Sequence, residues 1–263
     1  MSLNPKLKDW KSKRIWIVGA SSGIGEALAR QFDALGAHCM LSARSKDKLH
    51  TLCAELTHAH ALPLDVTDEQ AVKGAFRNLL EQCGGIDLIV LLAGTYSEMS
   101  VKSFNLAAVK KQIDVNLNGT MHVLDAVLPT LIQQHYGHVS LVSSVAGYRG
   151  LPNSLAYGPS KAALINLAEA LHLEMKRMNV GVSVVNPGFV DTPLTRTNTF
   201  PMPFLMTAGK AAQDMIKGYE KGQFELHFPK KFTCGLRLLR LLPYCLYFRL
   251  VKKITQSSTE HAQ

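Results

Sequence analysis

The chain has 263 residues and no uninterrupted apolar run of about 18 residues, so no membrane-spanning helix is expected. Cysteine is scarce. Cys39, Cys53, Cys83, Cys234 and Cys245 are odd in number and lack metal-ligand spacing, which points to reduced thiols in a cytosolic protein and to no metal site. No apolar stretch precedes Arg14, and the residues before it are polar and basic (Lys6, Lys8, Lys11, Lys13), so no signal peptide is expected. Internal repeats and low-complexity linkers are absent, so a single domain over 1–263 is the expected organisation. Acid is missing from one stretch. Residues 226–258 hold Lys230, Lys231, Arg237, Arg240, Arg249, Lys252 and Lys253 and neither Asp nor Glu, and these seven account for most of the net charge of +9. The rest of the chain is near neutral, which argues against a nucleic-acid-binding surface.

What the chain does have is a regular alternation. Short apolar runs at 14–19, 39–43, 61–64, 86–92, 138–142, 182–186 and 224–228 read as strands. Helical stretches at 23–35, 46–56, 68–80, 104–131 and 155–178 separate them. The strands are apolar throughout rather than alternating, which predicts a parallel sheet covered on both faces. Right-handed crossovers make it doubly wound, with ligands at the carboxyl ends of its strands.

Two stretches carry chemistry. Gly19-Ala20-Ser21-Ser22-Gly23-Ile24-Gly25 joins the first strand to the first helix. Small residues let the backbone approach a pyrophosphate, and the helix N-terminus favours its charge. The second stretch is Ser144 to Lys161. Tyr157 and Lys161 are four apart, hence on one helix face. A lysine ammonium beside a phenol stabilises the phenolate and lowers the tyrosine pKa, so Tyr157 can exchange a proton with a substrate oxygen. A hydroxyl at Ser144, at the end of an apolar run, can hold the same oxygen. Pro159 then belongs in the first turn of its helix, where its missing N–H costs nothing.

With these residues in this order, the chain resembles the classical short-chain dehydrogenase/reductase family over residues 14 to about 228. The resemblance rests on Gly19 to Gly25, Asp65-Val66, Ala93-Gly94, Asn116, Ser144, Tyr157 with Lys161, and Pro187-Gly188 with Thr192. It implies a Rossmann-like, seven-stranded parallel sheet, NAD(H) or NADP(H) as cofactor, and a homodimer or homotetramer. It makes Tyr157 the general acid/base and Lys161 both its pKa modifier and a ligand of the nicotinamide ribose. Ser144 would bind the substrate oxygen. Asn116 would kink its helix and anchor a water that links Lys161 to solvent. Asp65 and the Val66 backbone would meet the adenine, Pro187-Gly188 would turn the chain over the nicotinamide, and Val190 and Thr192 would contact its carboxamide and the phosphates. One departure stands out: Leu91-Leu92 precede Ala93-Gly94 where the family usually carries two asparagines, so the hydrogen bonds of those amides must be met otherwise.

Strand two ends Leu41-Ser42-Ala43-Arg44. NAD-preferring relatives usually place an acid at the position of Ala43, to accept from the ribose 2′-hydroxyl. Arg44 instead suits a 2′-phosphate, with Ser42 as an added hydroxyl, so NADP(H) is expected over NAD(H), with carbonyl reduction as the direction. Residues 193–210, rich in Phe, Met, Leu and Pro, are expected to cover an apolar, lipid-like ketone or alcohol. Tyr148, Leu151 and Leu155 are expected to line its pocket, and Arg196 is either a contact for an acidic substrate group or a surface charge. Residues 230–254 form a basic, apolar C-terminal extension. It reads either as packing on its own domain or a second subunit, or as a peripheral membrane contact for an otherwise cytoplasmic protein. Two rival readings are a non-catalytic nucleotide-binding protein on the same fold and a membrane-surface interaction protein.

Overall fold

The computed structural model describes residues 2–198 and 200–260, with side chains to 253. Seven parallel strands form one sheet in the order β3-β2-β1-β4-β5-β6-β9. They are β1 (Arg14–Val18), β2 (His38–Ser42), β3 (Ala59–Ala61), β4 (Leu88–Leu91), β5 (His138–Val142), β6 (Gly181–Pro187) and β9 (Glu225–Phe228). A separate two-stranded pair joins β7 (Val190–Asp191) to β8 (Met206–Thr207). The helices are α1 (Gly23–Ala34), α2 (Lys46–Ala54), α3 (Glu69–Cys83), α4 (Leu106–Ile113), α5 (Gly119–Gln134), α6 (Tyr157–Met175), α7 (Ala208–Glu220), α8 (Lys230–Leu239) and α9 (Tyr244–Glu260).

Period-two side chains explain the two-sided burial. Trp16, Met40, Ile89 and Leu141 point to one face, where they meet Phe76 and Leu79 of α3, Val123 and Val127 of α5, and Leu164 of α6. Ile15, Ile17, Leu41, Leu88 and Val90 point to the other, against Leu28 and Phe32 of α1 and Met215 and Tyr219 of α7. Trp16 stacks on Phe76 with centroids 5.6 Å apart, and its indole N–H donates to Ser42 Oγ at 2.9 Å. The sheet is thus the Rossmann-like, doubly wound arrangement expected.

Strand order reverses at β1, whose neighbours are β2 and β4. The turns that leave β1 and β4 at their carboxyl ends diverge there and open a crevice. The glycine loop after β1 and Leu92–Thr95 after β4 form its two lips.

Several boundaries differ from the sequence reading. Strand three is Ala59–Ala61 rather than 61–64, although Leu62 N and Leu64 N still donate to Leu41 O and Ala43 O at 2.8 and 3.2 Å. The stretch 104–131 is not one helix. A π-helical turn over Asp114–Asn118, with Asn116 at its centre, separates α4 from α5. Helix α7 has no counterpart in that reading. Its signal was the spacing of Ala211, Ala212, Met215, Ile216 and Tyr219, with Thr207 as cap accepting from Lys210 N at 3.2 Å.

Candidate active site

The crevice is a cleft of about 730 Å³, and most of the residues singled out in the sequence line it. The glycine loop forms one wall. Gly19 has φ +104°, and a Cβ there would lie 2.6 Å from Ala93 N, so β1 and β4 close on each other only with glycine at that point. Gly23 has φ +58°, and a Cβ there would meet Thr192 Cγ2 at 2.8 Å, so the loop faces Thr192 directly. Helix α1 starts at Gly23, and its N-cap Ser22 makes no side-chain capping bond. The first N–H groups of α1 therefore lack the usual protein acceptor and open into the cleft beside Ser21, Ile24 and Gly25.

Arg44 lies at the mouth, just past β2. It is exposed and pairs with no carboxylate among the described residues. Ser42 does not join it. Its hydroxyl is fully buried, donating to Leu62 O at 2.7 Å and accepting from Trp16, so the expectation of an added hydroxyl there is corrected. Val66, Ala93 and Gly94 line the cleft, but Asp65 does not. The Asp65 carboxylate accepts from Thr67 N and Oγ1 at 3.0 and 2.8 Å, closing the turn before α3. Leu91 is buried in the sheet and Leu92 lines the cleft, each where apolar contact suffices. Pro187, Gly188, Val190 and Thr192 form the opposite wall.

Ser144, Tyr157 and Lys161 converge on the cleft floor. Ser144 lies two residues past β5 and caps the short turn Val145–Gly147, accepting from Ala146 N at 3.1 Å. Tyr157 opens α6. Burial pushes its phenol up to about 12; a hydrogen bond to Ser144 pulls down and the neighbouring Tyr96 pushes up. Lys161 sits one turn on, with Nζ 5.7 Å from the Tyr157 ring centre, and donates to Val142 O at 3.0 Å. Burial lowers this lysine to about 8. Among the protein's own groups, then, Tyr157 is raised rather than lowered. Desolvation is the leading cause, while Lys161 donates to the Val142 carbonyl.

Asn116 is wholly buried behind this floor and does not line the cleft. Its Oδ1 accepts from Thr95 N at 2.7 Å, and its Nδ2 donates to Thr95 O and Ser160 Oγ, both at 3.0 Å. Both amide protons are therefore committed to protein, leaving one Oδ1 lone pair for any water. Ser160 in turn donates to Tyr157 O at 2.7 Å, so the π turn, the β4–α4 loop and α6 are tied at one point.

Four residues of this site were missed. Thr95 and Ser160 are the partners of Asn116. Ser143 fixes α6 by donating to Lys161 O at 2.7 Å. Tyr96 packs edge-on against Tyr157, with centroids 5.0 Å apart. All four stand beside or within the motifs already singled out, Thr95 and Tyr96 after Ala93-Gly94, Ser143 before Ser144 and Ser160 before Lys161, but their roles are recognised by contact alone.

Of the expected pocket residues, Tyr148 is turned away. Its hydroxyl donates to Glu225 Oε1 at 2.6 Å, and burial followed by that bond raises its pKa strongly. Leu151 and Leu155 do not line the cleft. Arg196 pairs with Asp191 at 2.9 Å on the surface, the reading as a surface charge. From the expected cover, Pro193, Leu194, Thr195 and Thr197 reach the cleft, while Thr199 lies outside the described residues. Phe232 of α8 stacks on Phe189 and Phe204, with centroids at 5.4 and 6.3 Å, so the extension backs this segment.

A nicotinamide dinucleotide suits this donor set: uncapped helix N–H groups and a free guanidinium for phosphates, and a lysine and a tyrosine at the far end. A family model described as short chain dehydrogenase matches residues 13–201. An "uncharacterized oxidoreductase" of Myxococcus xanthus is 36% identical over 242 residues, covering 90% of this chain and 96% of that protein. Another of the same description, from Staphylococcus epidermidis, is 35% identical over 191 residues, covering 72% and 83%. Among solved structures, levodione reductase superposes with a TM-score of 0.79 at 22% identity, covering 86% of this chain and 99% of that one, a likeness of fold.

Proposed function

The chain belongs to the short-chain dehydrogenase family and is an NAD(P)-dependent oxidoreductase acting on CH–OH groups; from that premise we propose that it interconverts an apolar ketone and its secondary alcohol, with NADP(H) preferred. The observation that carries the reading is the convergence of Ser144, Tyr157 and Lys161 on one floor of the cleft.

Bound at the glycine loop, the nicotinamide cofactor would supply the hydride that reduction adds to carbon. The proton goes to oxygen, and Tyr157 gives it. Its phenol, raised to about 12, is protonated throughout the neutral range and so is ready as the acid. The Ser144 hydroxyl donates to the same substrate oxygen and fixes its direction. The Lys161 ammonium stabilises the phenolate left behind. Asn116 keeps the floor in register by holding Thr95 and Ser160, and so positions Tyr157 through its carbonyl. Gly19 to Gly25 and Thr192 would hold the pyrophosphate, Val66 the adenine, and Pro187, Gly188 and Val190 the nicotinamide side. The Arg44 guanidinium supports NADP(H), since it lines the cleft and has no carboxylate partner among the described residues.

The apolar substrate class is supported by Pro193, Leu194 and Tyr96 at the far end of the cleft. The proposal extends to a homodimer or homotetramer, in line with a family that is typically oligomeric. It also includes peripheral contact with anionic lipid through residues 230–254. No helix among the described residues is long and apolar enough to cross a membrane. However, Leu238, Leu241, Tyr244, Leu246 and Phe248 are exposed on α8, α9 and the turn between them, beside Arg240, Arg249, Lys252 and Lys253.

The deciding experiment is Tyr157→Phe. Carbonyl reduction with NADPH should disappear while NADPH still binds with wild-type affinity. Undiminished turnover in that variant rejects the mechanism.

A further inference from the structure

Ser144 and Tyr157 sit on different elements, and the chain between them is irregular. Its beginning is closed by the turn Val145–Gly147. Its end is pinned where Met99 N donates to Asn153 O at 3.0 Å and Leu155 N to Met99 O at 3.4 Å. Between these anchors lie Tyr148, Arg149 and Gly150, and each is fastened to something beyond the loop. Arg149 donates from Nη1 to Leu239 O at 2.8 Å and to Leu242 O at 2.6 Å. Its guanidinium lies over the rings of Tyr247 and Tyr244, 4.0 and 4.8 Å from their centres. The Tyr247 hydroxyl donates to Gly150 O at 2.7 Å, and the Tyr247 side chain is buried. Tyr148 reaches Glu225, whose other oxygen pairs with Arg237 of α8 at 3.1 Å.

The chemistry of these contacts is particular. Arg149 has no carboxylate partner among the described residues. Its charge is met by the carbonyl of Leu239, the last residue of α8, which also accepts from Leu242 N at 3.3 Å, and by the carbonyl of Leu242 in the turn before α9, both near the negative end of the α8 dipole. Two aromatic faces complete its surroundings. A planar guanidinium serves two carbonyls and two rings at once, which an ammonium does not.

We propose that Arg149 is a positioning residue, through which the helix pair α8–α9 sets the separation of Ser144 and Tyr157. The extension is therefore part of the catalytic apparatus although it supplies no group to the reacting atoms. This rests on the proposed roles of Ser144 and Tyr157 and adds the device that holds them. Without the latch, the middle of the loop keeps only the Tyr148–Glu225 bond besides its two end anchors, and the two hydroxyls spend less time aimed at a common oxygen.

The test compares Arg149→Met, Arg149→Lys and Tyr247→Phe with wild type in the full chain. Arg149→Met should lower kcat by about tenfold to a hundredfold, as expected for a loosened reacting geometry, with the NADPH Kd unchanged. Arg149→Lys should recover part of the loss, and Tyr247→Phe, which removes only the bond to Gly150, should show a smaller fall of the same kind. Amide hydrogen exchange reads the same variants without turnover: exchange should quicken in 145–152 and stay unchanged in 19–25. Unchanged exchange in 145–152, or unchanged kcat despite faster exchange there, overturns the proposal. So does exchange that quickens equally in 19–25, because that is general destabilisation. If Tyr157→Phe retains full turnover, the mechanism fails instead, and the exchange result still decides whether the latch exists.

Discussion

The Lys161 ammonium donates to the Val142 carbonyl at 3.0 Å and lies 5.7 Å from the centre of the Tyr157 ring. The two groups are shifted in opposite directions, the lysine to about 8 and the tyrosine to about 12, and burial is the leading cause for both. Between those values the phenol keeps its proton while the lysine loses its charge.

Carbonyl reduction should therefore fail on the alkaline side through Lys161 rather than Tyr157. In wild type, kcat should fall as pH rises through about 8, where the ammonium is lost. Lys161→Met should remove that limb and leave a rate lower by roughly a hundredfold or more, the usual weight of general acid–base assistance. A limb that persists at the same pH in Lys161→Met assigns it to another group. Folding stability moves the other way. The unfolded lysine, with a pKa of 10.5, binds more protons than the folded one between about 8 and 10.5, so the cost of burying its charge is relieved as pH rises through that window.

On the proposed preference for NADP(H), Arg44 should discriminate the cofactors. Loss of a charge-assisted hydrogen bond costs about 1.5–3 kcal/mol, so Arg44→Ala should weaken NADPH roughly tenfold to a hundredfold. NADH, which lacks the 2′-phosphate, should be nearly unaffected. Titration of both cofactors, followed by fluorescence, measures this directly. Equal losses for the two reject the assignment of Arg44 to the 2′-phosphate.

Asn116 is a structural keystone as well as a neighbour of the site. Asn116→Ala leaves the Thr95 N–H and C=O and one bond of Ser160 without their partner, at about 1–3 kcal/mol for each buried group left unpaired. Urea unfolding should show a lower midpoint, and turnover should fall more than cofactor affinity, because Thr95 and Ser160 border Tyr157 rather than the glycine loop. A variant as stable as wild type contradicts this role.

The outer face of α8 and α9 should carry the protein to anionic vesicles and not to neutral ones. Basic residues at such a surface contribute about 1 kcal/mol each, so the association should weaken with added salt. Leu241 and Phe248 are 79% and 62% exposed, and Leu241→Glu with Phe248→Glu should abolish co-sedimentation while leaving cofactor binding intact. Equal sedimentation of the double variant rejects lipid contact through this face.

The order of elements was legible because apolar runs and helical spacing are local. The glycine loop was legible because Gly19 and Gly23 meet backbone demands that local sequence records. Helix α7 was as strongly patterned as the rest but stood beside a segment read as substrate cover. Strand three was displaced because its regular register with β2 runs over Ala59–Ala61, while the apolar Leu62 and Leu64 beyond it keep only single backbone bonds to that side. Ser42 shows the limit more clearly. Beside Arg44 it looked like a cofactor contact, yet period-two alternation turns it inward to Trp16 and Leu62.

By itself the sequence determined the parallel sheet, the glycine turn between β1 and α1 and the Ser144, Tyr157, Lys161 set, because each depends on residue type at short spacing. Tertiary structure decided what those groups experience. Desolvation on the cleft floor, not the four-residue spacing, set the proton affinities of Tyr157 and Lys161. Contact across the fold gave Asn116 its partners Thr95 and Ser160, and seated Arg149 between Tyr244 and Tyr247. Such partners lie far apart in the chain, and only folding brings their hydrogen-bonding groups within reach of one another.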